Sequence, residues 1–162
     1  MSLATNHHDP LDDFLKLSAV LTGYDRADLH GTGMVRPYYD ELVSIVGEAI
    51  VGELLGEAVS SLQGTGGDAR EQEEAIRRKI LDDEKLGPVA RNVIKMWYVG
   101  NWYQLPREWR DTYGAHARDT DHVVSAAAYQ EGLVWRAIGS HPPGAKQPGF
   151  GTWSQPPRFE VE

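Results

Sequence analysis

The sequence predicts an all-α protein, a single-domain helical bundle of about five helices with a Pro/Gly-rich extended C-terminal tail. Two observations predict the helices: apolar residues recur at three- and four-residue spacing, and capping residues flank those stretches. A third is that no alternating run is long enough to propose a sheet. We divide the 162 residues into a disordered N-terminus (1–8), a helical domain (9–139) and a tail (140–162).

The first helix is predicted over 10–22, where Asp9 is a suitable N-cap and Pro10 fits the first helical position. A loop follows over 25–33. The longest apolar pattern then covers 37–62 and predicts the second helix.

Three glycines interrupt this second helix, and each costs about 1 kcal/mol relative to alanine. We expect them to allow a neighbouring helix to approach closely; they are Gly47, Gly52 and Gly56. Four glutamates lie along the same stretch, without the Glu-x-x-His pairs of a di-metal bundle, and predict a solvated face. They are Glu41, Glu48, Glu53 and Glu57.

A surface helix is predicted over 69–84, after the glycine-rich connection 63–67. Asp68 and Glu71 have the spacing of a capping box. The acidic residues 82–84 at the end of this helix oppose its dipole, which indicates a frayed end or a partner there.

The chain is organised around an aromatic helix that starts near Pro88 and stops near Gly100. It is apolar around most of its circumference, so we expect it in the middle of the core. The stretch 95–103 contains two Trp and two Tyr. Three interpretations stay open: an ordinary aromatic core, an aromatic platform for a partner, since Trp and Tyr anchor many interfaces, or a cofactor cage.

The remainder comprises a loop-rich region (105–121), a last helix (126–138) with Ser125 as N-cap, and the tail. The segment 140–162 holds five of the nine prolines, which excludes regular secondary structure. It also contains Phe150, Trp153 and Phe159, so we expect it to place aromatic anchors on its own domain or on a partner.

Composition excludes several classes of function. The net charge of -8 with scattered basic residues argues against nucleic-acid binding. The absence of cysteine excludes disulfides, thiolate-held clusters, covalent c-type haem and thiol catalysis. No apolar run approaches the roughly 20 residues of a membrane helix, so no direct membrane insertion is predicted.

Motifs for catalysis are missing: there is no nucleophile elbow, dinucleotide fingerprint, Walker motif or His-x-x-x-His pair. Asp119, Asp121 and His122 form a loose acidic–imidazole cluster, either a metal site or ordinary loop polarity. The terminal pair His7-His8 beside Asp9 is a second, weaker metal candidate. The residues thus favour a binding or subunit role over an enzyme.

Three stretches resemble one bacterial family. Residues 129–151 read YQEGLVWRAIGSHPPGAKQPGFG, residues 94–103 read IKMWYVGNWY, and residues 14–23 read FLKLSAVLTG. In order and in sequence they are similar to the small (gamma) subunit of membrane-bound FAD-dependent sugar and polyol dehydrogenases. That family includes the small subunits of sorbitol, fructose and glucose dehydrogenases and gluconate 2-dehydrogenase subunit 3.

The resemblance implies a role without catalysis. In that family the FAD belongs to a large flavoprotein subunit, and a cytochrome c subunit often passes electrons onward. The small subunit binds the large one and supports its maturation or export, so no cofactor is expected in this chain. The implied partner-binding residues are Trp97, Tyr98, Trp102, Tyr103, Trp135, Arg136, His141, Pro142, Pro143, Lys146, Gln147 and Phe150.

The expected location is the periplasm, with membrane association through the partners. Many family members begin with a twin-arginine export signal, whereas the Arg-Arg pair here is Arg77-Arg78, in mid-chain. A removed signal, export with another subunit and a cytoplasmic location all stay open. The alternative functions are a self-contained helical small-molecule-binding protein and a free-standing enzyme or redox carrier. For Arg136 and Lys146 we expect a charge contact with the large subunit, or, for Arg136, hydrogen bonds to tail carbonyls.

Overall fold

The computed structural model describes residues 8–114 and 116–142, and over these ranges the chain is helical with one pair of two-residue strands. The elements are α1 (Pro10–Thr22), α2 (Arg26–Gly31), α3 (Val35–Val46), α4 (Glu48–Gln63), α5 (Ala69–Ile76), a π-helical turn (Arg77–Leu81), α6 (Leu86–Val99), β1 (Asn101–Trp102), α7 (Arg107–Tyr113), β2 (His122–Val123), α8 (Ala126–Glu131) and α9 (Leu133–Ala137). The strands pair antiparallel, with Trp102 opposite His122. The predicted all-α class is confirmed.

Two of the helices beyond the expected five arise because glycines divide two of the predicted helices. Gly47 has φ 86° and ψ 160°, a conformation that ends α3 before α4 begins. Gly132 separates α8 from α9 with an extended ψ of 126°. The sequence predicted one continuous helix over 37–62 and another over 126–138. Both predictions were wrong, because each range holds two helices.

Two short helices lie in segments that were predicted as loops, and each is fixed by one buried side chain. In α2, Asp25 accepts the Asp28 amide at 2.8 Å and Leu29 is fully buried. In α7, the buried Trp109 donates from its indole nitrogen to the Lys85 carbonyl at 2.7 Å. Both helices were missed because a single apolar residue gives no periodic pattern.

The acidic end of the 69–84 segment caps the next helix. Asp83 accepts the backbone amides of Lys85 and Leu86 through one carboxylate oxygen, at 2.9 and 2.7 Å. This cap starts α6 at Leu86, two residues before the predicted start at Pro88. Asp83 thus stabilises the turn at this end by a contact within the chain, and a partner at 82–84 stays a prediction.

Helix α6 lies in the middle of the core, as predicted, against α1, α3, α4, α8, α9 and the π-helical turn. Eight of its residues are buried: Leu86, Gly87, Val89, Ala90, Asn92, Val93, Met96 and Trp97. The ring of Trp97 meets that of Tyr38 from α3 edge to face, with centroids 4.9 Å apart.

We expect Tyr38→Phe to raise the free energy of unfolding by about 1 kcal/mol, because the buried hydroxyl has no hydrogen-bond partner among the described residues. Burial, followed by the charge of Glu131, raises the pKa of Tyr38 above its usual value. A raised folded-state pKa means that stability is lost as the pH rises beyond about 10, where the unfolded tyrosine ionises. Urea denaturation should therefore show a smaller alkaline loss for Y38F than for the wild type; equal losses would contradict this reasoning.

We expected Gly52 and Gly56 to allow a neighbouring helix to approach closely. Among the described residues, no helix does so at either glycine. Both are exposed on α4, and a Cβ added at either would meet no atom within 4 Å. A close approach does occur at Gly87, where a Cβ would lie 2.6 Å from the Leu81 carbonyl oxygen.

Replacing Gly52 or Gly56 by Ala should therefore stabilise the protein by roughly 0.5–1 kcal/mol each, through helix propensity alone. Gly87→Ala is the matched control, since it makes the same change in a helix without free space, and it should destabilise. Thermal and urea unfolding measure all three variants. Equal effects at Gly52 and Gly87 would show that the space around the two sites does not matter.

Candidate partner-binding surface

The C-terminal end of α6 and the helices α8 and α9 form one structural unit. A Cβ on Gly100 would lie 2.6 Å from backbone atoms of Ala128, and one on Gly132 would lie 2.8 Å from the Tyr98 carbonyl oxygen. Only glycine allows these two contacts between backbones. The residues of the aromatic helix and of the 129–142 stretch thus pack directly on each other.

Aromatic side chains complete this unit. The indole N–H of Trp135 donates to the Tyr129 carbonyl at 2.9 Å, and the two rings meet edge to face with centroids 5.6 Å apart. The Ser140 amide donates to the Trp135 carbonyl at 2.7 Å, which turns the chain after α9 back toward this helix. His141 is half-buried and Pro142 is buried, so the last described residues stay against the body.

Tyr98 joins this end of α6 to the N-terminal helix. Its hydroxyl donates to the Thr22 carbonyl at the end of α1, at 2.7 Å, and its ring lies edge to face with that of Tyr24. Burial, and to a lesser degree Tyr24, raises the pKa of Tyr98. The half-buried Tyr98 is therefore a donor in a structural contact.

Exposed apolar side chains surround this unit. Of the six large hydrophobic residues that are exposed in the described part of the chain, four lie on α6, β2, α8 and the end of α9. They are Val99 (38% exposed), Val123 (56%), Tyr129 (39%) and Ile138 (64%), and we call them the C-terminal apolar surface. Exposed apolar residues mark a binding surface where they adjoin one another.

The structure separates the predicted partner-binding residues into two groups. Trp97 and Trp102 are 1% and 0% exposed and belong to the core, so a direct contact with a partner is excluded unless they leave it. Tyr103 is exposed, with the Lys95 ammonium 5.0 Å from its ring centre. The aromatic-core interpretation thus holds for both tryptophans, and an interface has to use their exposed neighbours.

Arg136 is exposed and lies 3.8 Å from the carboxylate of Asp28 on α2, a pair half-exposed on both sides. Such a pair contributes little to stability and leaves the guanidinium accessible. The other predicted partner-binding residues, Pro143, Lys146, Gln147 and Phe150, lie outside the described residues, as do the tail from 143 onward and His7.

The acidic–imidazole cluster has structural roles instead of forming one site. Asp119 is buried and accepts the Trp102 indole N–H and the Leu105 amide through one oxygen, at 2.9 and 3.0 Å. Asp121 accepts the Gln104 amide at 2.7 Å. Over residues 8–114 and 116–142, no group of three His, Asp or Glu residues is arranged to hold a metal ion.

Glu41 corrects the prediction of a solvated glutamate face. Its side chain is only 10% exposed and contacts Arg118 and His122, whereas Glu53 pairs with Lys85 at the surface. Sequence reasoning missed Glu41 because its partners lie 77 and 81 positions further along the chain. It also missed Val99 and Val123, since an apolar residue in a pattern is expected inside.

No helix in the described ranges is long and apolar enough to cross a membrane. Comparison with known protein families, with curated proteins and with solved structures finds no match to this chain. The family resemblance therefore depends on the three stretches quoted above.

Proposed function

We propose that this chain is a non-catalytic accessory small subunit of an FAD-dependent membrane-bound sugar or polyol dehydrogenase, and that it binds the flavoprotein large subunit through the C-terminal apolar surface. One observation carries the proposal. The two stretches most similar to the small-subunit family, 94–103 and 129–151, are far apart in sequence, yet their described parts pack together through Gly100 and Gly132.

The chemistry of the surface supports this role. Exposed aliphatic and aromatic side chains together with the exposed Arg136 of α9 suit a protein partner, because such anchors and arginine recur in interfaces. In this proposal FAD stays in the large subunit, a cytochrome c subunit completes some complexes, and the assembly works at the periplasmic side of the membrane. The subunit would support maturation or export of the flavoprotein.

The first test is an affinity pull-down of the tagged chain from its native host, with mass spectrometry and an absorbance spectrum of the eluate. The proposal expects a large flavoprotein with oxidised-flavin absorbance. A colourless, monomeric chain would contradict it.

The second test asks whether the C-terminal apolar surface makes the contact. Ile138→Asp places a charge on a side chain that is 64% exposed, so we expect normal folding and at least a tenfold loss of flavoprotein recovery, about 1.4 kcal/mol. Ala49→Asp, on the exposed face of α4, is the control and should bind normally. Recovery of the flavoprotein by I138D at the wild-type level would place the contact elsewhere.

A self-contained small-molecule-binding protein is the second candidate, and one cleft favours it. A groove of about 480 Å³ lies between α1 and α3, with Leu11, Leu15 and Val35 beside His30 and Arg36. An apolar groove with a few polar groups is the usual form of a ligand site. Saturable binding of a small molecule, lost in Leu15→Trp and unaffected in I138D, would favour this candidate.

A further inference from the structure

A nearly buried carboxylate joins α3 to the segment that precedes α8. Glu41 on α3 accepts a hydrogen bond from the Arg118 guanidinium at 2.8 Å through one oxygen, and its other oxygen lies 2.5 Å from Nε2 of His122. The side chains of Arg118 and His122 are 54% and 26% exposed, against 10% for Glu41. Both oxygens of the carboxylate are thus occupied by groups from one distant segment.

Both ring nitrogens of His122 lie at hydrogen-bond distance from oxygen atoms. Its Nδ1 lies 2.6 Å from the Thr120 carbonyl oxygen, while Nε2 lies beside the Glu41 carboxylate. A carbonyl oxygen and an ionised carboxylate only accept hydrogen bonds, so both ring nitrogens have to donate. A neutral imidazole has one N–H, so both contacts are hydrogen bonds together only in the imidazolium form of the ring.

The charged groups around the ring are few. Glu41 faces it from α3, and Arg118, Asp119 and Asp121 belong to its own segment. Asp119 and Asp121 accept hydrogen bonds from the Trp102–Leu105 stretch, and the paired strand β1 has no ionisable residue. Helix α8, which packs on β2, contributes Glu131. Glu41 is thus the carboxylate in direct contact with the imidazolium.

We propose that His122, Glu41 and Arg118 form a proton-dependent clamp that holds residues 118–124 against α3. When the ring loses one proton as the pH rises, one of its two hydrogen bonds is lost, and the segment is then held through Arg118 and the remaining contact. Val123 follows His122 directly, so the clamp also controls how firmly part of the C-terminal apolar surface is held. The inference concerns the isolated chain and does not depend on the proposed function.

Hydrogen exchange of the Val124 amide tests the clamp, because this amide donates to the Gly100 carbonyl at 2.9 Å only while the segment is in place. Between about pH 5.5 and pH 8, the range in which histidines change charge, we expect its protection factor to fall about tenfold or more. The Gly23 amide, bonded to the Ala19 carbonyl at the end of α1, is the internal reference and should keep its protection.

His122→Gln is the matched variant, since glutamine can donate to Glu41 and does not titrate in this range. We expect its Val124 protection to be the same at both pH values. An equal fall in H122Q and wild type, or no fall in the wild type, would overturn the proposal. Ring ¹⁵N shifts of the wild type give an independent reading: two protonated nitrogens at about pH 5.5 are expected, and a neutral ring there would overturn it.

Discussion

Gly100→Ala is expected to destabilise the protein by about 3 kcal/mol and to separate α8 from α6. Gly100 has φ 72°, a left-handed conformation that costs an alanine roughly 1–2 kcal/mol. Its added Cβ would also lie 2.6 Å from the carbonyl carbon and oxygen of Ala128. Backbone atoms cannot rotate away, so α8 has to move, and overpacking of this kind adds a further 1–3 kcal/mol, roughly.

A matched control separates the two contributions. Gly23 has φ 78° at the end of α1, and a Cβ there would meet no atom within 4 Å. Gly23→Ala should therefore lose only the conformational part, about 1–2 kcal/mol. Urea denaturation of both variants provides the difference. Equal losses would mean that the junction of α6 and α8 has space for a methyl group.

Asp119→Leu should cost about 4 kcal/mol, because it removes the carboxylate oxygen to which two buried groups donate hydrogen bonds. The Trp102 indole and the Leu105 amide both donate to one oxygen of Asp119, and Asp119 is only 3% exposed. Each donor left without a partner costs roughly 1–3 kcal/mol. Guanidinium denaturation, followed by tryptophan fluorescence, measures the loss.

Asp119→Asn is the control, since it keeps one acceptor oxygen at almost the same volume. The second carboxylate oxygen has no partner among the described residues, so the new amide group would also be unpaired. We expect a loss of about 1 kcal/mol, well below that of the leucine variant. If D119L were as stable as D119N, the two hydrogen bonds would contribute nothing measurable.

Features that depend on neighbouring residues could be predicted from the sequence. Asp9 and Ser125 accept the amides of Leu11 and Ala128, as expected of N-caps. Asp68 likewise accepts the Glu71 amide at 2.9 Å. A capping box also has a second hydrogen bond, from the Asp68 amide to the Glu71 side chain. That part of the prediction was wrong, because the Asp68 amide donates to the Thr65 carbonyl.

Features that depend on distant residues could not be predicted from the sequence. The two side chains that contact Glu41, those of Arg118 and His122, lie far along the chain, and no local pattern identifies them. The same limit applies to the aromatic stretch, where a buried tryptophan and an interface tryptophan look alike in sequence. The structure assigns Trp97 and Trp102 to the core by their burial, and leaves Tyr103 at the surface.

The hydrogen bond from Tyr98 to Thr22 also has a consequence for synthesis. Its two residues are 76 positions apart, and α1 packs on α4, α5 and α6, which all follow it. At a translation rate of about 5–20 residues per second, the apolar face of α1 waits roughly 4–15 s for this last partner. During that interval α6 is not yet available to pack on α1, whose Phe14 and Leu17 are fully buried in the finished fold. The nascent chain is therefore most exposed to aggregation before residue 98 has left the ribosome.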